Sequence, residues 1–488
     1  MKILILAIGF CSMLISPFVS WSSDEISMTE MFHTQENGTT DNLSSVVRQA
    51  IATNPEVMAS WAVFRSVEFE QDAAWGGYLP SVDVTGRAGY EGYRSNSQTS
   101  DYQPAEVSFA FTQMLYDGFL TRDEVERLGA EKLVCLCELL EMSENTALTA
   151  ITAYVDVLRY RNLLAYAEEN LAQHQEVFGQ VKERVEAGIS RGVDLDQATG
   201  RLALARANWM TESNNLHDVS VRFLRIVGEL PDTTLQPPTE VTQIELPEKI
   251  EGALLNAFNQ NPTINAACAR VAAARKAQDA RQASFHPRVE LRGHHDIGAE
   301  RDQIKGNSNE SVVEVVATIN LYRGGSDRAT VQQFHSYVNQ SIDLRNKMCR
   351  DIRQTLTIAY NSIGHLEKQL EYLKAHLQSS QNARQAYRDQ FDIGQRTLLD
   401  LLDTENEYFQ ARRAYAIASY DYVLAYARSA QGMGTLLTSL GIRNKDVPML
   451  DQVVNDKGDI SASEFCVEQA IPAQLTGNGT ISAQPWLK

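Results

Sequence analysis

Leu115-Tyr116-Asp117-Gly118 returns as Leu321-Tyr322-Arg323-Gly324, about 206 residues further along the chain. The register holds outward from there. Downstream, Ala153-Tyr154 meets Ala359-Tyr360, Gly188 meets Gly394, Asp194 meets Asp400, Ala205-Arg206 meets Ala411-Arg412, and Gly228 meets Gly434. Upstream, after a one-residue slip, Asn54-Pro55-Glu56-Val57 meets Asn261-Pro262-Thr263-Ile264. In that slipped register Tyr78-Leu79-Pro80 meets Phe285-His286-Pro287, and Val82-Asp83-Val84 meets Val289-Glu290-Leu291. Chance does not hold one register over this distance, so the chain is one structural unit used twice. Pro231, Pro237, Pro238 and Pro247 punctuate a polar stretch between the copies, which is linker chemistry. The expected organisation is a first repeat over 23–230, a linker over 231–247 and a second repeat over 248–440. A polar tail follows over 441–488; it has no clear period and is expected to be mobile.

Within each unit the hydrophobic period changes twice. Helical spacing comes first, from about Leu43 to Ala74 with a break at Asn54-Pro55, and from about Ile250 to Ala283; Pro80 and Pro287 end these stretches. Period two follows. From Val82 to Tyr90 apolar or small residues alternate with polar ones, and beyond a polar turn Ala105, Val107, Phe109 and Phe111 alternate with Glu106, Ser108, Ala110 and Thr112. In the second copy Val289 and Leu291 alternate with Glu290, Arg292, His294 and Asp296. Past the loop around Gly306-Asn307-Ser308, Val313, Val315, Ala317 and Ile319 alternate with Val312, Glu314, Val316 and Thr318. Strands of about ten residues suit a barrel wall tilted through a bilayer. Taken alone they suit a half-buried soluble hairpin equally well.

Very long helices come next. No proline lies between Pro104 and Pro231, or between Pro287 and Pro448. One helix over 326–391 extends roughly 100 Å at 1.5 Å per residue. Leu195, Leu202, Trp209, Leu216 and Phe223 recur at heptad spacing. So do Leu401, Tyr408, Tyr415 and Tyr422, with Leu402, Phe409, Ala416 and Val423 beside them. A plain helical bundle shares this chemistry but leaves the inserted hairpins unexplained.

The N-terminus reads as a secretory signal over 1–22: Lys2, an apolar run from Ile3 to Phe18, then Ser20 and Ser22 as small residues at a cleavage site. Cys11 follows bulky Phe10 inside the apolar run, so it does not suit acylation. No other stretch supplies the roughly 20 apolar residues of a spanning helix. The net charge of −18 argues against a nucleic-acid partner, which needs a basic face. Cys135, Cys137, Cys268, Cys349 and Cys466 are odd in number and lack metal or redox spacing; they read as small buried apolar residues. His294 and His295 beside Asp296 point to opposite faces of a strand, so they do not share a metal. His217-Asp218 has no nucleophile at a readable spacing. No nucleophile elbow, phosphate loop or dinucleotide fingerprint is present. No catalytic constellation, cofactor or metal site is therefore expected.

Two hairpins give about four strands. A four-stranded sheet in lipid has two open edges, and each unpaired backbone group there costs several kcal/mol. The sheet must close on copies of itself. Small barrels start near eight strands, so at least two chains are needed, and three give about twelve.

These features together resemble the TolC family of outer-membrane export channels, over nearly the whole mature chain to about Leu440. The marks are the Asn-Pro helix starts at Asn54 and Asn261, the Leu-Tyr-x-Gly strand ends at Leu115 and Leu321, and Phe391-Asp392-Ile393-Gly394-Gln395-Arg396-Thr397-Leu398-Leu399-Asp400-Leu401-Leu402-Asp403. The resemblance implies an α+β membrane protein: a homotrimer whose outer-membrane β-barrel of roughly twelve strands, four per chain, continues into a long periplasmic α-helical coiled-coil tunnel. It implies a periplasmic adaptor and an inner-membrane ABC or other pump as partners. The implied role is the exit duct for type I protein secretion, with small-molecule efflux as the alternative. The missing acylation cysteine resembles the secretion branch more. A periplasmic coiled-coil adaptor with soluble β-domains is the remaining alternative.

Asp400 and Asp403 lie three apart, on one helix face. In a symmetric ring such carboxylates attract cations and raise one another's pKa. By resemblance they form the constriction at the periplasmic tip. Arg396 matches a gate arginine that bonds to neighbouring coils, and Asp194 matches an acid that helps hold the gate shut. Phe391 stands where the family has a tyrosine, so one gate hydroxyl is absent here. Acids just after a turn are also favoured by the helix dipole alone, which accounts for Asp194 and Asp400 without any gate.

Overall fold

The computed structural model describes residues 42–95, 98–299, 306–442 and 466. The expected signal sequence, and the tail apart from its first two residues and Cys466, lie outside these.

The repeat is visible in the helix boundaries. Helix α1 (Leu43–Thr53) is capped by Asn42 and buries Leu43, Val46, Val47, Ala50 and Ile51, one helical stripe. Asn54 ends it and starts α2 (Pro55–Trp75): its Oδ1 accepts from Glu56 N at 2.8 Å, with Pro55 pre-set for the first turn. Asn261 plays the same part in the second repeat, accepting from Thr263 N at 2.9 Å.

The first strands follow a short 3₁₀ turn at Gly76–Tyr78: β1 (Ser81–Ala88), β2 (Glu91–Ser95), β3 (Gln98–Tyr102) and β4 (Ala105–Tyr116). The stretch read as a polar turn therefore holds a small hairpin, β2–β3. Its residues are polar and its pairing is local, so period two gave no signal there. The long helix α3 (Leu120–Glu186) and its return α4 (Gly192–Val227) come next. A one-turn helix, α5 (Thr239–Thr242), lies in the join between the repeats.

The second repeat comprises α6 (Ile250–Gln260), α7 (Pro262–Gln282), β5 (Arg288–Ala299), β6 (Asn307–Thr318), α8 (Ser326–Asp392), α9 (Leu398–Met433) and the short α10 (Leu436–Ser439). Helices α3 and α8 are each 67 residues, and α4 and α9 each 36. At that length α3 and α8 run roughly 100 Å. Among the described residues no helix is long and apolar enough to cross a membrane.

The four main strands form one antiparallel sheet in the order β1-β4-β5-β6, so the hairpins of the two repeats join edge to edge. Register sorts its faces. Val84 opposes Phe109, Val82 opposes Phe111, Phe111 opposes Gly293, and Gly293 opposes Val313. This face carries the exposed apolar side chains Val82, Val84, Val107, Phe109, Phe111, Ile297, Val313 and Val315. The other face is polar: Thr85, Ser108, Asp296 and Glu310 lie in one row, with Ser108 Oγ donating to Asp296 Oδ1 at 2.5 Å. Strands β1 and β6 stand at the edges.

The largest apolar cluster draws on α1, α2, α3, α4 and α9, around Ile51, Ile151, Tyr154, Phe223 and Leu424. A second lies among α6, α7 and α8, around Phe258, Ile264, Cys349 and Leu356. The join between repeats is seated on both. Val241 and Ile244 are buried in the first cluster, and the equivalent tyrosines of the two repeats anchor its backbone. Tyr154 Oη donates to Gln236 O at 2.7 Å, and Tyr360 Oη to Pro247 O at 2.6 Å.

One expectation is overturned. Cys349 and Cys466 are joined by a disulfide, with Cα atoms 5.6 Å apart, while Cys135, Cys137 and Cys268 are free. An odd count forbids complete pairing but not one pair, and 117 residues of separation hide that pair from local reading.

Candidate functional site

The candidate site is the tip of the helical region, where α3 turns into α4 and α8 into α9. Both turns end a helix in the same way. Ile189 N donates to Arg184 O and Gln395 N to Gln390 O, each at 2.8 Å, across Gly188 (φ 74°) and Gly394 (φ 77°). Those left-handed positions favour glycine, which explains the pair met in the sequence.

Below the turns the four helices close around Val177, Val181, Ala198, Phe391, Leu401 and Leu402. Phe391 is a core residue of this cluster, with the Arg184 guanidinium 5.0 Å above its ring.

Asp400 is the capping acid of α9. Thr397 Oγ1 donates to its Oδ2 at 2.8 Å, Thr397 N donates at 3.2 Å, and Asp400 N donates back to Thr397 Oγ1 at 3.3 Å. The Thr397 hydroxyl and then its backbone N–H hold the Asp400 carboxyl below the usual carboxylate range. Asp194 is the capping acid of α4, its Oδ2 accepting from Arg191 N at 3.2 Å. The arginine at that cap has no acceptor, so only half the box forms. Asp403, one turn beyond Asp400, accepts from Arg201 Nη2 of α4 at 2.5 Å. Arg396 Nε donates to Gln390 Oε1 at 2.9 Å, and its guanidinium lies 4.3 Å from the Tyr387 ring centroid and 4.0 Å from Asp400.

The structure thus brings Arg396, Asp400 and Asp403 together at one turn. Asp194 sits at the equivalent turn, and Phe391 lies beneath them. Within the chain each charged member has a local partner.

A second zone went unread in the sequence. Glu405 is buried on α9, accepting from Arg384 Nε at 2.7 Å, with Arg388 at 3.3 Å. Arg388 also donates to Gln173 of α3. Arg412 bonds Glu169 of α3 and stacks on Tyr166 at 3.9 Å. Arg413 meets buried Glu212 of α4 at 2.6 Å. These side chains fasten the α3–α4 hairpin to the α8–α9 hairpin. Glu405 and Glu212 fall on or beside the heptad seam, and a charge on an apolar stripe was the available signal.

The sequence profile described as outer membrane efflux protein matches residues 46–229 and again 254–435, once per repeat. The chain belongs to the outer membrane efflux protein family. Its fold and family are those of outer-membrane channels, with the strands at the membrane and the long helices in the periplasm. The chain is 25% identical over 390 residues to outer membrane efflux protein BepC of Brucella suis biovar 1, covering 79% of this chain and 83% of that protein. It is 25% identical over 412 residues to outer membrane protein TolC of Vibrio cholerae, covering 81% and 91%. Among solved structures, the Campylobacter jejuni CmeC outer membrane channel superposes with a TM-score of 0.72 at 14% identity, over 81% of this chain and 86% of that one. The outer membrane protein VceC of Vibrio cholerae gives 0.69 at 15% identity, over 80% and 96%.

Proposed function

We propose that this efflux-family chain is the exit duct of a tripartite export system for type I protein secretion, closing as a homotrimer and docking a periplasmic adaptor and an inner-membrane pump. The carrying observation is the open sheet. Among the described residues edges β1 and β6 are unpaired, and one face is apolar and exposed. In lipid such edges must be satisfied by further copies. Three copies of four strands make a barrel of about twelve, and the same rotation rings the long helices below it.

The cargo reading is supported by similarity to the alkaline protease secretion protein AprF of Pseudomonas aeruginosa, 24% identical over 67% of this chain. Small-molecule efflux is the second reading. It is favoured by similarity to the pyoverdine export outer membrane protein OpmQ of the same species, 22% identical over 76% of the chain. Disrupting the gene separates them. Protein secretion predicts the loss of specific polypeptides from the medium; unchanged polypeptides with raised sensitivity to toxic small molecules select efflux.

At the tip, Asp400 and Asp403 form the cation-attracting constriction, and Arg396 with Asp194 holds it closed. Because Asp403 is bound to Arg201 and Asp400 caps its helix, the ring is pre-organised by its own chain. In planar bilayers, Asp400→Ala with Asp403→Ala lowers cation selectivity and relieves block by multivalent cations. Arg396→Ala raises the resting conductance. A double variant with unchanged selectivity removes the acid ring from the account, and a pore still closed without Arg396 removes that gate.

A further inference from the structure

The two long helices are contacted at the same height by the chain that leaves α9. On α3 the contact is polar and non-covalent. The buried carboxylate of Glu144 accepts from Leu437 N at 3.3 Å, at the start of α10. Leu436 and Ile442 then sink into the first apolar cluster. On α8 the contact is covalent: Cys466, further along the same segment, is bonded to Cys349 and buried in the second cluster with Phe258 and Leu356.

The repeat register makes these places equivalent. Cys349 of α8 corresponds to Ser143 of α3, the residue beside Glu144, in the register that pairs Tyr154 with Tyr360. Ser143 is buried too, but its hydroxyl turns back on its own helix and donates to Leu139 O at 2.8 Å. The duplicated site thus carries a hydroxyl in one copy and a thiol in the other. Among the described residues the covalent bond to the C-terminal segment is made at the thiol copy.

We infer that Leu437 and Cys466, two described points of the chain after α9, clasp it to the two repeats, set on α3 by Glu144 and locked on α8 by oxidation of Cys349 with Cys466. Loss of two protons and two electrons from the two thiols requires an acceptor, and the acceptor is a protein disulfide in the oxidising space that an outer-membrane chain crosses. One cysteine thiolate attacks that disulfide to form a mixed disulfide. The other cysteine displaces it, leaving the Cys349–Cys466 bond and a dithiol on the oxidant, whose sulfurs take up the two protons. Cys268, a free thiol in the same cluster, is the internal competitor.

Mapping the bond in the full chain tests this independently of cargo or gating. Protein taken from outer membranes without reductant is blocked with N-ethylmaleimide, denatured and digested with trypsin. The expected product joins Met348-Cys349-Arg350 to the peptide 458–488, and reduction separates them. Maleimide on Cys349 or Cys466, or a Cys349–Cys268 link, overturns the proposal. The locking role is read by heat. Reductant lowers the melting midpoint of the detergent-solubilised wild type by about 4 °C. Cys466→Ser shows the same drop and no further response to reductant. A wild type whose midpoint ignores reductant overturns the clasp, whatever the variant does.

Discussion

Helices α3 and α8 have the same length and equivalent places in the two repeats, yet their surroundings differ. Helix α3 is covered nearly all round in its middle: Ala147, Ala150, Ile151, Ala153, Tyr154, Val155 and Val157 are all buried. Its neighbours are α2 and α4 from its own repeat, and α7 and α9 from the other. Helix α8 buries a narrow stripe, Val338, Arg345, Cys349 and Leu356, at the spacing of one coiled-coil seam. On its other side Tyr337, Leu344, Ile358 and Tyr372 are exposed, at 47%, 51%, 60% and 77%. These four also fall in heptad register, so α8 carries a second stripe that the described residues leave bare. Duplication alone makes two alike helices; among the described residues α3 is enclosed and α8 is not. The bare seam on α8 and the open edges of the sheet are the same incompleteness at two heights.

The enclosed side gives the largest expected effect. Glu405 lies buried between Arg384 and Arg388 where the hairpins meet. Glu405→Ala leaves Arg384 and Arg388, both partly exposed, without their buried carboxylate, a loss of about 1.5–3 kcal/mol. The melting midpoint should fall whatever the protein concentration, because both partners belong to the same chain. A loss below about 1 kcal/mol would mean that water already reaches the network, and that this side is less closed than its burial indicates.

Glu144 gives the next effect and distinguishes the two helices by pH. Burial pushes its carboxyl up to about 7, against bonds from the backbone of Leu437 and Leu436 that pull it down. Its Oε2 has no hydrogen-bond partner among the described residues. A raised acid favours folding while it is protonated in the fold and ionised in the unfolded chain. Its contribution is therefore full below the unfolded pKa near 4.5 and is lost as pH rises through about 7. Glu144→Gln should flatten the fall in melting midpoint between those values. The change Ser143→Ala beside it should leave the slope as it was.

Much of this was legible because the repeat made each reading count twice. The Asn-Pro starts, the paired glycines and the strand alternation each found its counterpart, and the long helix read over 326–391 spans Ser326–Asp392. What escaped had no period. The β2–β3 hairpin is built from polar residues paired only with each other. The Cys349–Cys466 bond joins a helix to a tail without pattern. At the tip, the acids and Arg396 were singled out by motif, but not the partner that holds Asp403. Arg201 stands on another helix, and heptad spacing says which residues face inward without saying which charges meet across the seam. Tyr154 and Tyr360 were noticed only as a repeated pair; their hold on the join between repeats required three dimensions.

The smallest effect bears most directly on the bare seam. In the enclosed half, Arg412 of α9 lies on the ring of Tyr166 of α3 at 3.9 Å. The repeat register carries Tyr166 to Tyr372 and Arg412 to Arg206. Tyr372 is exposed among the described residues, and Arg206 is exposed on α4. If copies pack α4 of one against α8 of the next as α9 packs against α3, Arg206 of one copy lands on Tyr372 of its neighbour. Such a contact is worth about 0.5–1 kcal/mol. Tyr372→Ala and Arg206→Ala should each loosen the oligomer by that amount while leaving the fold of the single chain intact. The double variant should lose no more than either alone, because both remove one contact. Oligomer dissociation in detergent measures this. Additive losses would show that the two residues never meet, and that the interface between copies does not repeat the packing inside one.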